Sequence, residues 1–176
     1  MNFDEAYKYT EGIAGLYTQL NCEKLWEYAA PCKGLMVELG SFNGKSASLL
    51  LQAATTTDAT VILVDCWKWM KGHAVNTMQV LDDFPEVKKA ILYMYTKDAA
   101  KWVPFHINLL HIDANHEEIG VEEDCRMWLP KVVSGGVVCF HDYGLGYEGL
   151  MHQVDKYTRG WKDLGIWDTL AIRRKP

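Results

Sequence analysis

No apolar stretch in this chain approaches the roughly 20 residues needed to span a membrane, and cations are not in excess: the formal net charge is −5. The first absence excludes a helical membrane anchor within these residues. The second argues against non-specific binding to nucleic acid or to an anionic membrane. The five cysteines (Cys22, Cys32, Cys66, Cys125, Cys139) include no Cys-x-x-Cys pair, so neither a zinc knuckle nor a disulfide framework is expected. A reducing, cytoplasmic setting follows as the expectation. The first residues, Met1-Asn2-Phe3-Asp4-Glu5, lack the basic start and apolar run of a signal peptide. There is no internal repeat and no low-complexity segment. The one basic cluster, Arg173-Arg174-Lys175, reads as a solvated tail.

What is present is a sequence of 176 residues, 49% of them apolar, enough for one domain with a real core. Four apolar runs each end in an acid. Leu35-Met36-Val37 leads to Glu38, Val61–Val64 to Asp65, Ile107–Ile112 to Asp113, and Val137–Phe140 to His141-Asp142. Short β-branched runs separated by helix-length segments read as buried parallel strands of an α/β sheet. Strands are expected at Leu35–Leu39, Thr60–Val64, Ile91–Tyr95, Ile107–Ile112 and Val137–Phe140, the last entered through a turn at Gly135-Gly136. Helices are expected near 3–29 (broken around Asn21 and ended by Pro31) and at Ser46–Ala54, Pro85–Lys89, Lys97–Trp102, His116–Leu129 and Leu150–Arg159. Trp161–Lys175 can close as a hairpin turning near Leu164-Gly165-Ile166. The segment 66–80 gives no clear signal.

In such sheets ligands bind outside the carboxyl ends of the strands. Four carboxylates gathered there are costly without a cation or a hydroxyl-rich partner. The loop Gly40-Ser41-Phe42-Asn43-Gly44-Lys45-Ser46 has three residues between its glycines, where a phosphate-binding P-loop has four. In a dinucleotide loop, Phe42 would block the close approach of the pyrophosphate, and Glu38 would repel it. S-adenosylmethionine fits better. Glu38 can face its cationic amino-acid end, and Asp65 can accept the ribose hydroxyls. Asp98 and Ala99 follow strand three, where an adenine amino group could be read, although Asp98 suits a helix N-cap equally.

A second constellation joins the ends of strands four and five. Asp113 and Asp142 come within reach of one small cation. Asn115 could add an oxygen, which suits Mg²⁺, whereas His141 as a ligand would favour Mn²⁺. His116, near a helix start, can take the proton of a substrate hydroxyl. His111 is expected to pack in the core, and Glu117, Glu118, Glu122 and Glu123 to form a solvated helix face.

Val37–Ser46 resembles motif I of class I S-adenosylmethionine-dependent methyltransferases. Leu109–Asp124 with Trp128, and then Gly135–Tyr143, are similar to the branch that contains macrocin O-methyltransferase and the cephalosporin-hydroxylase-like proteins. The resemblance covers roughly residues 35–143. It implies a Rossmann-like α/β fold: a mostly parallel seven-stranded sheet with an antiparallel C-terminal strand and helices on both faces. It divides the single domain into an N-terminal helical cover (1–30), a cofactor and catalytic core (35–143), and a C-terminal helix and hairpin (144–176). It implies S-adenosylmethionine along Glu38, Gly40, Ser41, Phe42, Gly44, Asp65, Cys66, Trp67, Asp98, Ala99 and Asp113. It further implies Mg²⁺ or Mn²⁺ at Asp113, His141 and Asp142, and His116 as the base. The expected partner is a small-molecule or sugar hydroxyl. Trp67–Met78 and Tyr143–Tyr147 would wall its pocket. A nicotinamide-dependent oxidoreductase and a non-catalytic nucleoside-binding module are the rival readings. The sequence leaves monomer and homodimer open.

Overall fold

The buried apolar runs form the middle of one sheet, and the amphipathic segments between them become the helices that cover it. In a computed structural model, residues 1–68, 71–103 and 106–176 are described. In chain order the elements are α1 (Phe3–Thr10), α2 (Gln19–Ala29), β1 (Leu35–Leu39), α3 (Lys45–Thr57), β2 (Thr60–Asp65), α4 (Lys71–Asp82) and β3 (Lys88–Tyr93). They continue with α5 (Thr96–Ala99), β4 (Ile107–Ile112), α6 (Glu118–Trp128), β5 (Val132–Phe140), α7 (Glu148–Tyr157), β6 (Lys162–Trp167) and β7 (Leu170–Arg174). The seven strands lie in the order β3-β2-β1-β4-β5-β7-β6. β1 to β5 pair in parallel, and β7 runs antiparallel to β5 and β6. The chain reverses its direction of progress between β1 and β4, the place where such sheets open a crevice at their carboxyl ends.

Side-chain alternation along the strands splits the core in two. Met36, Val61, Leu63, Leu109 and Cys139 pack under α1, α2, α3 and α4. Val37, Leu39, Val64, Leu110, Val138 and Phe140 pack under α5, α6 and α7. By the same alternation Glu38 and His111, paired in register across β1 and β4, face the α1–α3 side. There they are fully buried among apolar neighbours. On the other face α6 and α7 are tied by acids of the expected solvated stripe: Glu118 meets His152 and Gln153, and Glu122 meets Lys156.

Five expectations about local structure need correction. The N-terminal break falls at residues 11–18 rather than at Asn21. Asn21 lies inside α2, where it exchanges capping hydrogen bonds with Thr18. Pro85–Lys89 is not helical, because α4 has already ended and β3 begins at Lys88. β5 starts at Val132, so Gly135-Gly136 sits within the strand. Gly135 takes the left-handed conformation (φ 77°) and pairs with Lys175 at 2.9 Å. The hairpin turns at Asp168-Thr169 rather than at Gly165, which instead marks a register shift in β6. The basic C-terminus is no free tail. Arg173 is buried against Asp163 at 2.8 Å, and the Lys175 ammonium donates to the carbonyls of Leu129, Pro130 and Val132.

Candidate active site

Backbone pairing carries three strand ends one residue further and sets their next side chains in a row. Gly40 N–H donates to Val64 O, Asp113 N–H to Leu39 O, and His141 N–H to Ile112 O, at 2.8–3.0 Å. Gly40 (φ 84°) lies directly against the Asp113 carbonyl, so an added Cβ would overlap backbone atoms. Its glycine identity is therefore a packing requirement at the switch point between β1 and β4.

The Gly40–Gly44 loop is held from three sides. One Asp65 carboxylate oxygen accepts the N–H groups of Ser41 (2.8 Å) and Phe42 (3.0 Å), and the other accepts that of Trp67 (2.8 Å). The Phe42 carbonyl accepts Trp67 Nε1 and Thr77 Oγ1, both at 2.8 Å. Asn43 accepts from Asn76 and contacts His73, and the His73 ring stacks on Phe42. Phe42, Trp67 and Asp142 are non-glycine residues at positive φ (47°, 39° and 59°), a strain that gathers at ligand sites. Cys66 lies half-buried beside them. Trp69 and Met70, expected to wall the pocket, lie outside the described residues.

Several residues sit differently from their expected roles. Glu38 does not face the rim. It is fully buried, with Oε1 at 3.2 Å from His111 Nδ1 and with Oε2 lacking any partner. Asp65 commits three acceptor directions to backbone N–H groups, out of the roughly four a carboxylate offers. Asp98 is on the solvent side of α5, paired with Lys101 at 2.9 Å, whereas Ala99 is buried. The Asn115 side-chain oxygen accepts Glu117 N–H at 2.9 Å at the start of α6.

Asp113, His141, Asp142 and His116 do converge. Ligand atoms of Asp113, His141 and Asp142 all lie within 4.8 Å of one another. His141 Nδ1 is 3.3 Å from Asp113 and 3.2 Å from Asp142. His116 Nε2 is 2.6 Å from Asp142 and 3.7 Å from Asp113, and its ring stacks on Tyr147. A cavity of about 10 Å³, room for about one water, opens beside them between Ile112, Phe140 and Leu150.

The charges explain one another. Asp113 and Asp142 raise the His116 imidazole to about 9. Burial alone would lower His141, but hydrogen bonds to Asp113 and Asp142 outweigh it and also raise it to about 9. Burial likewise opposes ionisation of both carboxyls, yet the two imidazoles hold them below their ordinary range. In this state protonated histidines balance the acids.

Sequence reasoning missed the residues behind this cluster. Tyr17, from the α1–α2 connection, stacks on His141 with 4.1 Å between ring centroids, and its hydroxyl lies 2.5 Å from His111 Nε2. Burial, and then Asp113 and Glu38, push its phenol well above the usual range. Thr169, in the hairpin turn, meets His141 Nε2 at 3.2 Å. His111 was legible only as a core residue of the fourth strand. Tyr17 left no local signal.

The donor set can be tested against the groups it would hold. Two buried polar atoms, Glu38 Oε2 within β1 and Ser41 Oγ in the loop that follows it, have no partner. Ser41 Oγ and the backbone cradle at Gly40 fit a ligand bearing hydroxyls, whereas Glu38 is buried away from them. Two carboxylates and one imidazole fit a divalent cation.

A family model described as "Methyltransferase domain" matches residues 37–143. No curated protein sequence matches the chain. Among solved structures, the O-methyltransferase NovP is 17% identical, with a TM-score of 0.73, covering 92% of this chain and 83% of that one. The Podospora anserina methyltransferase PaMTH1, solved with S-adenosylhomocysteine, is 13% identical, with a TM-score of 0.74 and coverage of 99% and 87%. CalS11, a TDP-rhamnose 3'-O-methyltransferase, is 12% identical, with a TM-score of 0.69 and coverage of 98% and 92%. At these identities the structures share the fold, while the matched family model spans more than half of the chain. The chain belongs to the S-adenosylmethionine-dependent methyltransferases of the class I fold.

Proposed function

We propose that the protein transfers a methyl group to a hydroxyl of a small-molecule or sugar acceptor, assisted by a divalent cation. One observation carries this reading: Asp113, His141 and Asp142 form a cation-sized cluster next to His116, at the carboxyl ends of β4 and β5 and beside the Gly40 loop. The likeness to the O-methyltransferase NovP and to the TDP-rhamnose 3'-O-methyltransferase CalS11 supports an oxygen acceptor.

In this reading Ser41, Phe42, Gly44, Cys66, Trp67, Asp98 and Ala99 border the methyl donor, and Asp65 takes its ribose. The donor supplies an electrophilic methyl for in-line displacement. Asp113, His141 and Asp142 would hold the cation, which supplies positive charge that makes a nearby hydroxyl more acidic. His116 Nε2 removes the acceptor's proton. It can do so only as the neutral imidazole, and Asp113 and Asp142 favour its protonated form. A cation held by those carboxylates would offset that bias. Tyr147, stacked on His116, keeps the imidazole facing Asp142. Catalysis rests mainly on positioning.

Release of S-adenosylhomocysteine with hydroxylated acceptors, measured with and without Mg²⁺ or Mn²⁺, tests the proposal. Activity should depend on the metal in the native protein, and Asp142→Asn should abolish that dependence. Metal-independent native activity would retire the cation while keeping the transferase. Absence of turnover across hydroxyl acceptors would retire O-methylation.

A further inference from the structure

His141 is gripped by two residues from opposite ends of the chain. The Tyr17 ring lies almost parallel to the imidazole, 11° between planes. It cannot swing freely, because its hydroxyl is 2.5 Å from His111 Nε2 and His111 Nδ1 is 3.2 Å from Glu38. His111 and Glu38 are fully buried in neighbouring strands. When His111 Nδ1–H donates to Glu38, Nε2 can accept the phenol O–H, and the same hydroxyl lies within hydrogen-bond reach of the Asp113 carboxylate, so the Tyr17 ring is anchored at its tip.

Rotation of the imidazole within its plane is limited by the hairpin. His141 Nε2 lies 3.2 Å from Thr169 Oγ1, which in turn donates to Asn21 Oδ1 at 3.4 Å. The Asn21 amide is fixed because its nitrogen donates to Trp167 O at 2.7 Å. The threonine hydroxyl thus spends its proton on Asn21 and offers His141 a lone pair. This arrangement calls for a proton on Nε2 and leaves Nδ1, which faces Asp113 and Asp142, as the nitrogen free to bind a cation. A ligating histidine is commonly set in this way, by a hydrogen bond at its other nitrogen.

Resting on the proposed cation site, the geometry points to Thr169 and Tyr17 as positioning residues that fix His141 as an Nδ1 ligand. The α1–α2 connection and the β6–β7 turn then belong to the metal centre through their contacts with His141.

The test is a Mn²⁺ titration of the 176-residue chain, followed by calorimetry, with ¹⁵N spectra of the histidine rings in the Zn²⁺-loaded native chain. Thr169→Val and Tyr17→Leu should each weaken Mn²⁺ binding by roughly tenfold or more. Thr169→Ser should restore it. Tyr17→Phe, which keeps the stack and loses the anchor, should fall between native and Tyr17→Leu. The spectra should show His141 protonated at Nε2 and metallated at Nδ1. They need no variant, so a variant that fails to fold does not blunt the test. Unchanged Mn²⁺ affinity in folded Thr169→Val and Tyr17→Leu, or His141 protonated at Nδ1, would overturn the inference while sparing the cation site. No Mn²⁺ uptake by the native chain would overturn both.

Discussion

At the scale of residues, side chains whose neighbours deny them alternatives dominate. Gly40 is one: its positive φ and its contact with the Asp113 carbonyl leave no room for a Cβ. Gly40→Ala should cost about 2–4 kcal/mol in urea unfolding, combining backbone strain with displacement of Asp113. Native-like stability would mean that the β1–β4 contact is looser than described. Asp124 is another. Burial lifts its carboxyl to about 6, one oxygen has no partner, and the unfolded chain titrates it near 3.8. Because the folded value is raised, the stabilisation is complete below pH 3.8, is lost as pH rises from 3.8 to 6, and is absent at neutrality. Asp124→Asn should therefore be more stable than the native protein at pH 7.5 by about 1–3 kcal/mol, with the advantage vanishing near pH 4. Urea unfolding at the two pH values decides this, and an equal difference at both would refute it.

At the scale of elements, legibility followed burial. β1 and β4 were read at their true bounds because both lie in the middle of the sheet and are buried along most of their length. β3 is one of the sheet's two edge strands and carries Lys88 and Lys89 at its start, so its pattern was mistaken for a helix before a later strand. The hairpin was expected, but its turn was assigned to Gly165, because glycine is the stronger turn signal. The chain turns instead at Asp168, which tolerates φ 50°. Asp113, His116, His141 and Asp142 were legible because strand ends bring them together. Tyr17 and Thr169 were not, since no spacing links an irregular N-terminal segment or a hairpin turn to β5. Lys175 shows the same limit: a terminal cation reads as solvated, yet it closes three carbonyls around the end of α6. Lys175→Met should cost about 1–3 kcal/mol without changing the dependence on urea concentration, as expected for loss of charged hydrogen bonds. An unchanged midpoint would return the C-terminus to a dispensable tail.

At the scale of the molecule, one arrangement accounts for the acids on the rim. Those near β4 and β5 are balanced by two imidazoles. The one after β2 binds the loop that follows β1, and the one inside β1 is buried under the N-terminal helices. On the proposed function, the side of the crevice from Gly40 to Asp65 takes the methyl donor and the side from Asp113 to Asp142 the acceptor, with the Gly40–Asp113 contact between them. On the proposed function, Asp65 takes the ribose with oxygens that also hold the loop. S-adenosylhomocysteine should bind the native protein at a single site by calorimetry, and Asp65→Ala should weaken that binding at least ~10-fold, about 1.4 kcal/mol. Equal affinity in the two proteins, or no binding to the native one, would contradict it.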